Sequence, residues 1–198
     1  MPKTTEQYEE IRQEKKQIIM FAALELFAER GFNSTSISHI SEKVGMSKGL
    51  LYNYFCSKED LLKVLIDNIV NELADMIDPN HDKIITEEEA LQFFDLYFEV
   101  LQTRKNELKL IIQIIMQPEV YRFINRNMLL KRVFEYGQML TVFFSNRNME
   151  NPKMVMMSIF SIVRGFTMQY VLSSTTFSQK FLMEYKEYLK ETYIMGTK

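Results

Sequence analysis

Six glycines and four prolines are all that this chain of 198 residues offers as strong turn formers, well below the average usage of about 7% and 5%. A sandwich or barrel of many short strands needs far more of them, so an all-α chain of long helices is predicted. With 46% hydrophobic and 25% charged residues, it can bury a core without cross-links. The lone Cys56 has no partner for an internal bridge. The opening MPKTTEQYEEIRQEKK lacks the apolar centre of a secretory signal, and no run of about 18 uncharged apolar residues is present to span a bilayer. A soluble, cytoplasmic protein with no membrane partner is expected.

The same composition narrows the chemistry. Two histidines, His39 and His81, and one cysteine leave no HExxH, CxxC, GxGxxG or Walker loop. No catalytic residues, metal ligands or cofactor are predicted, and an enzyme is disfavoured. A net charge of -2 argues against a general polyanion coat, so nucleic-acid binding has to be local. The surplus lies in soft apolar side chains, 14 Met, 15 Phe and 10 Tyr, which suit either a plain helical core or an adaptable cavity.

Periodicity places about nine helices. Ile18, Ile19, Ala22, Ala23, Leu26 and Phe27 form one face of the first, which Gly31 ends with a left-handed residue. Thr35 or Ser36 caps a short second helix through Val44, Gly45 stops it, and Ser47 caps a third running from Lys48 to about Phe55. Ser57 and Asp60 open a fourth helix that runs to Asp78-Pro79, and Thr86 with Glu89 forms a capping box for a fifth. A sixth ends near Gln117-Pro118, a seventh is predicted from Glu119 to Phe144, an eighth starts at Asn151-Pro152, and a ninth at Ser178 with Phe177 and Leu182 as a staple.

Two short helices joined by a tight turn containing glycine, the second capped by serine, is the layout of a helix-turn-helix whose second helix reads the major groove. The stretch TSISHISEKVGMSKGLLYNYFCSKEDL, residues 35–61, closely resembles the DNA-binding signature of the TetR family of bacterial transcriptional regulators. The resemblance rests on Thr35, Ser36, Ile40, Gly45, Ser47, Lys48, Gly49, Leu51, Tyr52, Tyr54, Phe55, Lys58, Glu59 and Leu61, about the first quarter of the chain. Ser41 and Val44 stand where alanines are frequent, and Leu50 where a polar residue often faces the bases.

Thr35, Ser36, Ser47, Lys48, Gly49, Leu50, Tyr52, Asn53, Tyr54 and Lys58 are the candidate DNA-binding residues. Lys48 suits guanine O6 or N7, Leu50 a thymine methyl and Asn53 an adenine edge. Gly49 permits close approach to the groove, and Ser47 leaves helix-terminal amides favourable to phosphate. The resemblance assigns Tyr52, Tyr54 and Lys58 to phosphate or groove contacts. Residues 1–60 carry eight basic and nine acidic side chains, so affinity has to come from placement and from two heads binding together.

What the resemblance implies for the rest is a domain order of 1–56 for DNA binding, 57–78 as a connecting helix, and 79–198 for effector binding and dimerisation. A homodimer interface is expected in the last two helices, where Ser158, Ser161 and Gly165 recur at close-packing spacing and Phe160, Phe166, Tyr185 and Leu189 supply apolar area. An effector pocket for a small apolar or aromatic molecule is expected among Phe94, Tyr97, Phe98, Ile115, Met116, Phe123, Met128, Phe134 and Met139. The implied protein is a ligand-responsive repressor on a partly palindromic double-stranded operator. An effector-independent DNA-binding dimer and an α-helical enzyme or lipid carrier are the alternatives.

Overall fold

The computed structural model describes residues 5–127, 131–173 and 177–196. Ten α-helices follow one another: α1 Thr5–Arg30, α2 Ile37–Lys43, α3 Lys48–Tyr52, α4 Lys58–Ile77, α5 Glu87–Thr103, α6 Lys105–Ile115, α7 Pro118–Arg126, α8 Lys131–Asn146, α9 Pro152–Leu172 and α10 Gln179–Lys190, with a π-helical turn at Glu191–Met195. The chain is all-α, and no strand occurs among the described residues. Where one helix was predicted over 119–144 there are two. Asn127 caps α7 and its side-chain amide donates to the Phe123 carbonyl at 2.8 Å, which draws a freed carbonyl away from helix continuation.

The helices group into two compact units, and neither is contiguous in sequence. Unit 1 comprises Met1–Asn68 with Leu110–Leu129; unit 2 comprises Ile69–Lys109 with Leu130–Lys198. Helices α4 and α6 each begin in one unit and end in the other, so residues 110–127, expected with the C-terminal domain, group with the N-terminal helices.

In unit 1 Ile19, Ala22, Ala23, Leu26 and Phe27 of the predicted α1 stripe are buried, Ile19, Ala23 and Phe27 fully so, whereas Ile18 at its edge is exposed. Phe27 meets Phe32 edge-on at 5.1 Å. Gly31 and Gly45 take φ of 84° and 66°, the left-handed region that glycine enters without a Cβ penalty. Each therefore ends a helix sharply enough to bring the next one back.

Unit 2 is an aromatic core. Phe94, Tyr97, Phe98, Leu101, Phe143, Phe144, Phe166, Leu182 and Leu189 are buried together. A run of ring contacts passes from Phe98 to Phe166 (5.8 Å), and from Tyr185 to Phe166 (4.8 Å), Phe181 (5.7 Å) and Tyr188 (6.3 Å). The Tyr97 hydroxyl donates to the Val163 carbonyl at 3.0 Å and pairs with Thr167 at 2.9 Å, tying α5 to α9. Burial pushes its pKa well above the ordinary phenol value, against the smaller opposing effect of the Thr167 hydrogen bond.

Candidate nucleic-acid interface

The helix-turn-helix is assembled by side chains that bind backbone. Ser36 caps α2 by accepting from His39 N at 3.2 Å, and His39 Nδ1 in turn accepts from Ser36 N at 3.3 Å, closing a capping box. A histidine at the third helical position is not the usual Glu or Gln, so the sequence does not announce this role. Ser47 caps α3, its hydroxyl accepting from Leu50 N at 3.2 Å. The last turn tightens, with Asn53 N donating to Leu50 O, so the helix ends at Tyr52 rather than Phe55.

Burial sorts the recognition segment cleanly. Leu51 and Phe55 are 0% and 2% exposed and face the core, whereas Leu50 and Tyr52 are 42% and 45% exposed. Ser47, Lys48, Gly49 and Asn53 are exposed with them. Tyr54 is half-buried beneath the Arg12 guanidinium, which lies 5.4 Å from its ring centroid, and Arg12 Nη2 donates to the Asn53 carbonyl at 3.3 Å. A cation at this end of a helix also complements the exposed carbonyls. Arg12 sits in a mixed-charge run, EEIRQEKK, whose pattern singles out no member.

Two expected DNA contacts have other partners. Thr35 is 1% exposed and its hydroxyl is directed at the Gly31 carbonyl (2.9 Å) and the Leu26 carbonyl (3.2 Å), freed by the end of α1. Lys58 Nζ donates to the carbonyls of Phe32 (2.9 Å), Asn33 (3.1 Å) and Thr35 (3.1 Å) and sits 4.6 Å from the Phe32 ring centroid. An ammonium has three donors, and here all three are engaged. Both residues shape the loop that delivers α2 instead of facing a phosphate.

Gln117, between α6 and α7, joins this loop within unit 1. Its Nε2 donates to the Phe27 carbonyl at 2.7 Å and its Oε1 accepts from Phe32 N at 2.8 Å. One amide therefore fastens both sides of the α1 terminus, and Phe123 of α7 packs against Phe32 at 6.4 Å. A glutamine before a proline reads in sequence as a helix boundary and nothing more.

The expected pocket residues do not form one group. Phe94, Tyr97 and Phe98 lie in the unit 2 core with half-buried Met139 beside them, while Phe134 is 68% exposed. Ile115, Met116 and Phe123 belong to unit 1, Met116 being exposed, and Met128 lies outside the described residues. A predicted aromatic stripe does not distinguish interior from surface, which is why Phe134 was misassigned.

The expected dimer residues divide similarly. Phe166 and Leu189 are buried in the core of unit 2, because both belong to the aromatic and aliphatic layer against α5. Tyr185 and Phe160 are half-buried, whereas Ser158, Ser161 and Gly165 are exposed and share one stripe of α9 with Met154, Met157, Met168 and Leu172. A Cβ on Gly165 would meet nothing within 4 Å. By length and hydropathy α9 is apolar enough to cross a membrane, and only 17% of its most apolar window is buried.

A capped α2, a glycine turn and a short α3 with an exposed polar and aromatic face define a helix-turn-helix. Residues 19–65, which contain the helix-turn-helix, match the family model described as bacterial regulatory proteins, tetR family. Over 104 residues it is 29% identical to the biofilm operon icaADBC negative transcriptional regulator IcaR of Staphylococcus epidermidis, covering 52% of this chain and 55% of that protein. The chain thus spans about half the length of that relative.

Likeness in fold extends much further. A putative fatty acid metabolism regulator from Clostridium perfringens matches with a TM-score of 0.67 at 20% identity, over 91% of this chain and 98% of that one. The transcriptional regulator FadR from Bacillus subtilis, in complex with stearoyl-CoA, matches with a TM-score of 0.60 at 20% identity, over 92% and 99%. At such identities the fold alone is shared. These proteins are named as regulators.

Proposed function

We propose that this regulator represses transcription as a homodimer on a partly palindromic operator and is released by an apolar, acyl-type effector held in unit 2. The observation that carries the DNA reading is the face of α3: Lys48, Gly49, Leu50, Tyr52 and Asn53 point to solvent while Leu51 and Phe55 anchor the segment. Lys48 is the donor for guanine, Leu50 the apolar contact for a thymine methyl, and Asn53 the adenine reader. Tyr52, Tyr54 and Ser36 are assigned to groove or phosphate contacts in the same reading.

Dimerisation is supported by the exposed methionine and small-residue stripe of α9, an area that a second copy would bury as an isologous helix contact. The reading accounts for an apolar helix being so little buried within one chain. A place in the cytoplasm follows from a DNA target. The effector class is supported by the aromatic and methionine-rich composition of unit 2 and by the stearoyl-CoA complex of the Bacillus subtilis protein of similar fold.

The test is selection of bound duplexes from genomic DNA, followed by titration of the purified dimer. Tyr52→Ala and Lys48→Ala are expected to weaken operator binding, Lys48→Ala by roughly 1–3 kcal/mol with relaxed base preference. A long-chain acyl thioester is expected to lower operator affinity by about 5- to 150-fold. Unchanged affinity in both variants would remove the α3 assignment. Gly165→Arg is expected to yield monomer or aggregate in light scattering.

A further inference from the structure

The twelve residues Asp78 to Glu89, DPNHDKIITEEE, join α4 to α5 inside unit 2. Asp78, Asn80, Asp82 and Glu89 stand first, third, fifth and twelfth in that run. Helix-loop-helix calcium sites present their oxygen ligands at these positions, with a main-chain carbonyl from the seventh and a two-oxygen carboxylate from the twelfth. The flanking helices fall in register: α4 ends at Ile77, and α5 begins at Glu87, so that Glu89 lies in its first turn. Glycine is usual at the sixth position. Lys83 stands there instead, yet takes the left-handed φ of 66°, and its N–H donates across the loop to Asp78 Oδ2 at 3.2 Å.

An independent observation singles out Asp78. The residue is 1% exposed, and its Oδ1 is buried with no hydrogen-bond partner. A buried carboxylate oxygen without a donor is destabilising unless a cation meets it. Because Oδ2 is held by Lys83 N–H, the carboxylate is turned into the loop. Glu89 is 8% exposed and accepts from Asn80 Nδ2 at 2.9 Å, Thr86 N at 2.9 Å and Thr86 Oγ1 at 2.8 Å. As they stand, no three His, Cys, Asp or Glu side chains among the described residues are gathered closely enough to hold a metal. Gathering them requires the loop to reorganise: Glu89 has to turn from Thr86, and Asn80 Oδ1 and Asp82 Oδ1 now accept from the N–H groups of Asp82 (2.9 Å) and Ile84 (2.7 Å).

We propose that the α4–α5 loop is a calcium site, closed over one Ca²⁺ by Asp78, Asn80, Asp82, the Ile84 carbonyl and Glu89. Three carboxylates, an amide oxygen and a carbonyl are hard oxygen donors, the set this cation takes in six- to eightfold coordination at about 2.3–2.6 Å. Magnesium demands a near-ideal octahedron at about 2.0–2.1 Å and dehydrates reluctantly, which a loop that must first reorganise serves poorly. The reorganisation and the absent glycine place the expected dissociation constant in the weaker part of the range for such loops, about 10⁻⁵–10⁻³ M.

The experiment is calorimetric titration of the chelator-stripped full chain with calcium chloride in 0.1 M potassium chloride, repeated with magnesium chloride. One saturable site per chain is expected for calcium, with magnesium at least about tenfold weaker. Glu89→Gln keeps a capping-box side chain at that position and is expected to weaken calcium about tenfold or more. Asp82→Asn changes an exposed residue and is expected to weaken calcium with an unchanged melting temperature in chelator. The proposal is overturned by the absence of saturable heat up to about 5 mM calcium, by equal affinity for magnesium, or by wild-type calcium titration in both variants.

Discussion

Unit 1 and unit 2 are stabilised by different means. In unit 1 the loop between α1 and α2 is fixed by polar side chains bound to backbone: Thr35 on two carbonyls, Lys58 on three, Gln117 on a carbonyl and an N–H. In unit 2 side-chain-to-backbone bonds also occur, at Tyr97 and in the α4–α5 loop, but packing of helix on helix rests mainly on ring contacts and on ion pairs between side chains, such as Arg104 with Glu72 and Glu107, or Lys186 and Lys190 with Asp95. Backbone hydrogen bonds have narrow geometry, whereas aromatic and methionine packing accommodates exchange of similar volumes. A surface that reads base edges needs the first kind of construction. The effector site proposed for unit 2 would be better served by the second.

The largest effect that tests this contrast lies in unit 2. Phe94→Ala should cost about 3–5 kcal/mol in denaturant unfolding, while Phe94→Met should cost well under half of that if the aromatic core is adaptable. Equal losses would mean that unit 2 is packed as specifically as unit 1. The next largest is Lys58→Met, which removes the lysine donor from the carbonyls of Asn33 and Thr35 and leaves that of Phe32 only the Thr35 N–H, and should cost about 1–3 kcal/mol. This variant also separates two roles. A phosphate contact would flatten the salt dependence of DNA binding by about one per head; a loop clamp leaves the slope unchanged and lowers affinity at every salt concentration.

Gln117→Leu follows, with an expected loss of about 1–2 kcal/mol from the two lost hydrogen bonds. Weaker operator binding by a dimer of unchanged size is expected with it, and full retention of operator affinity would show that the α1 terminus holds its shape without the amide.

The smallest effect is electrostatic. Burial raises the Asp95 carboxyl pKa, but hydrogen bonds from Lys186 and Lys190 and their charges outweigh it and hold the group below its ordinary 3.8. A depressed folded-state pKa contributes stability above the unfolded value and loses it as pH falls through the folded one. Asp95 is 48% exposed, so water and salt screen the pair. Asp95→Asn should therefore cost under about 1 kcal/mol at neutral pH, and the difference from wild type should vanish in acid and shrink in high salt.

Local chemistry made the helix-turn-helix legible. Ser47 before an apolar pair, Gly45 after Val44, and the inward Leu51 and Phe55 are short-range signals that the structure bears out. Thr35 and Lys58 were misread because their partners are carbonyls: Lys58 reaches residues 23 to 26 positions earlier, a distance no periodic pattern encodes. The same blindness applied to Arg12 and Gln117. In unit 2 the apolar periodicity located α5, α9 and α10 but did not say which side each buries, so Phe166 and Leu189 were placed on the outer face and Phe134 inside. The acidic loop of 78–89 escaped attention as a cation site because its capping box already explained Thr86 and Glu89.

The amide of Gln117 also sets a clock on biosynthesis. Phe32 N and its acceptor on Gln117 are 85 residues apart, so at about 5–20 residues per second the α1 terminus waits roughly 4–17 s for its clamp to be translated. Until then the helix-turn-helix lacks residues 110–127 of its own unit. A fragment ending at Asn68 is consequently an incomplete transplant, and grafting this head onto another dimerisation domain requires carrying the α6–α7 corner with it.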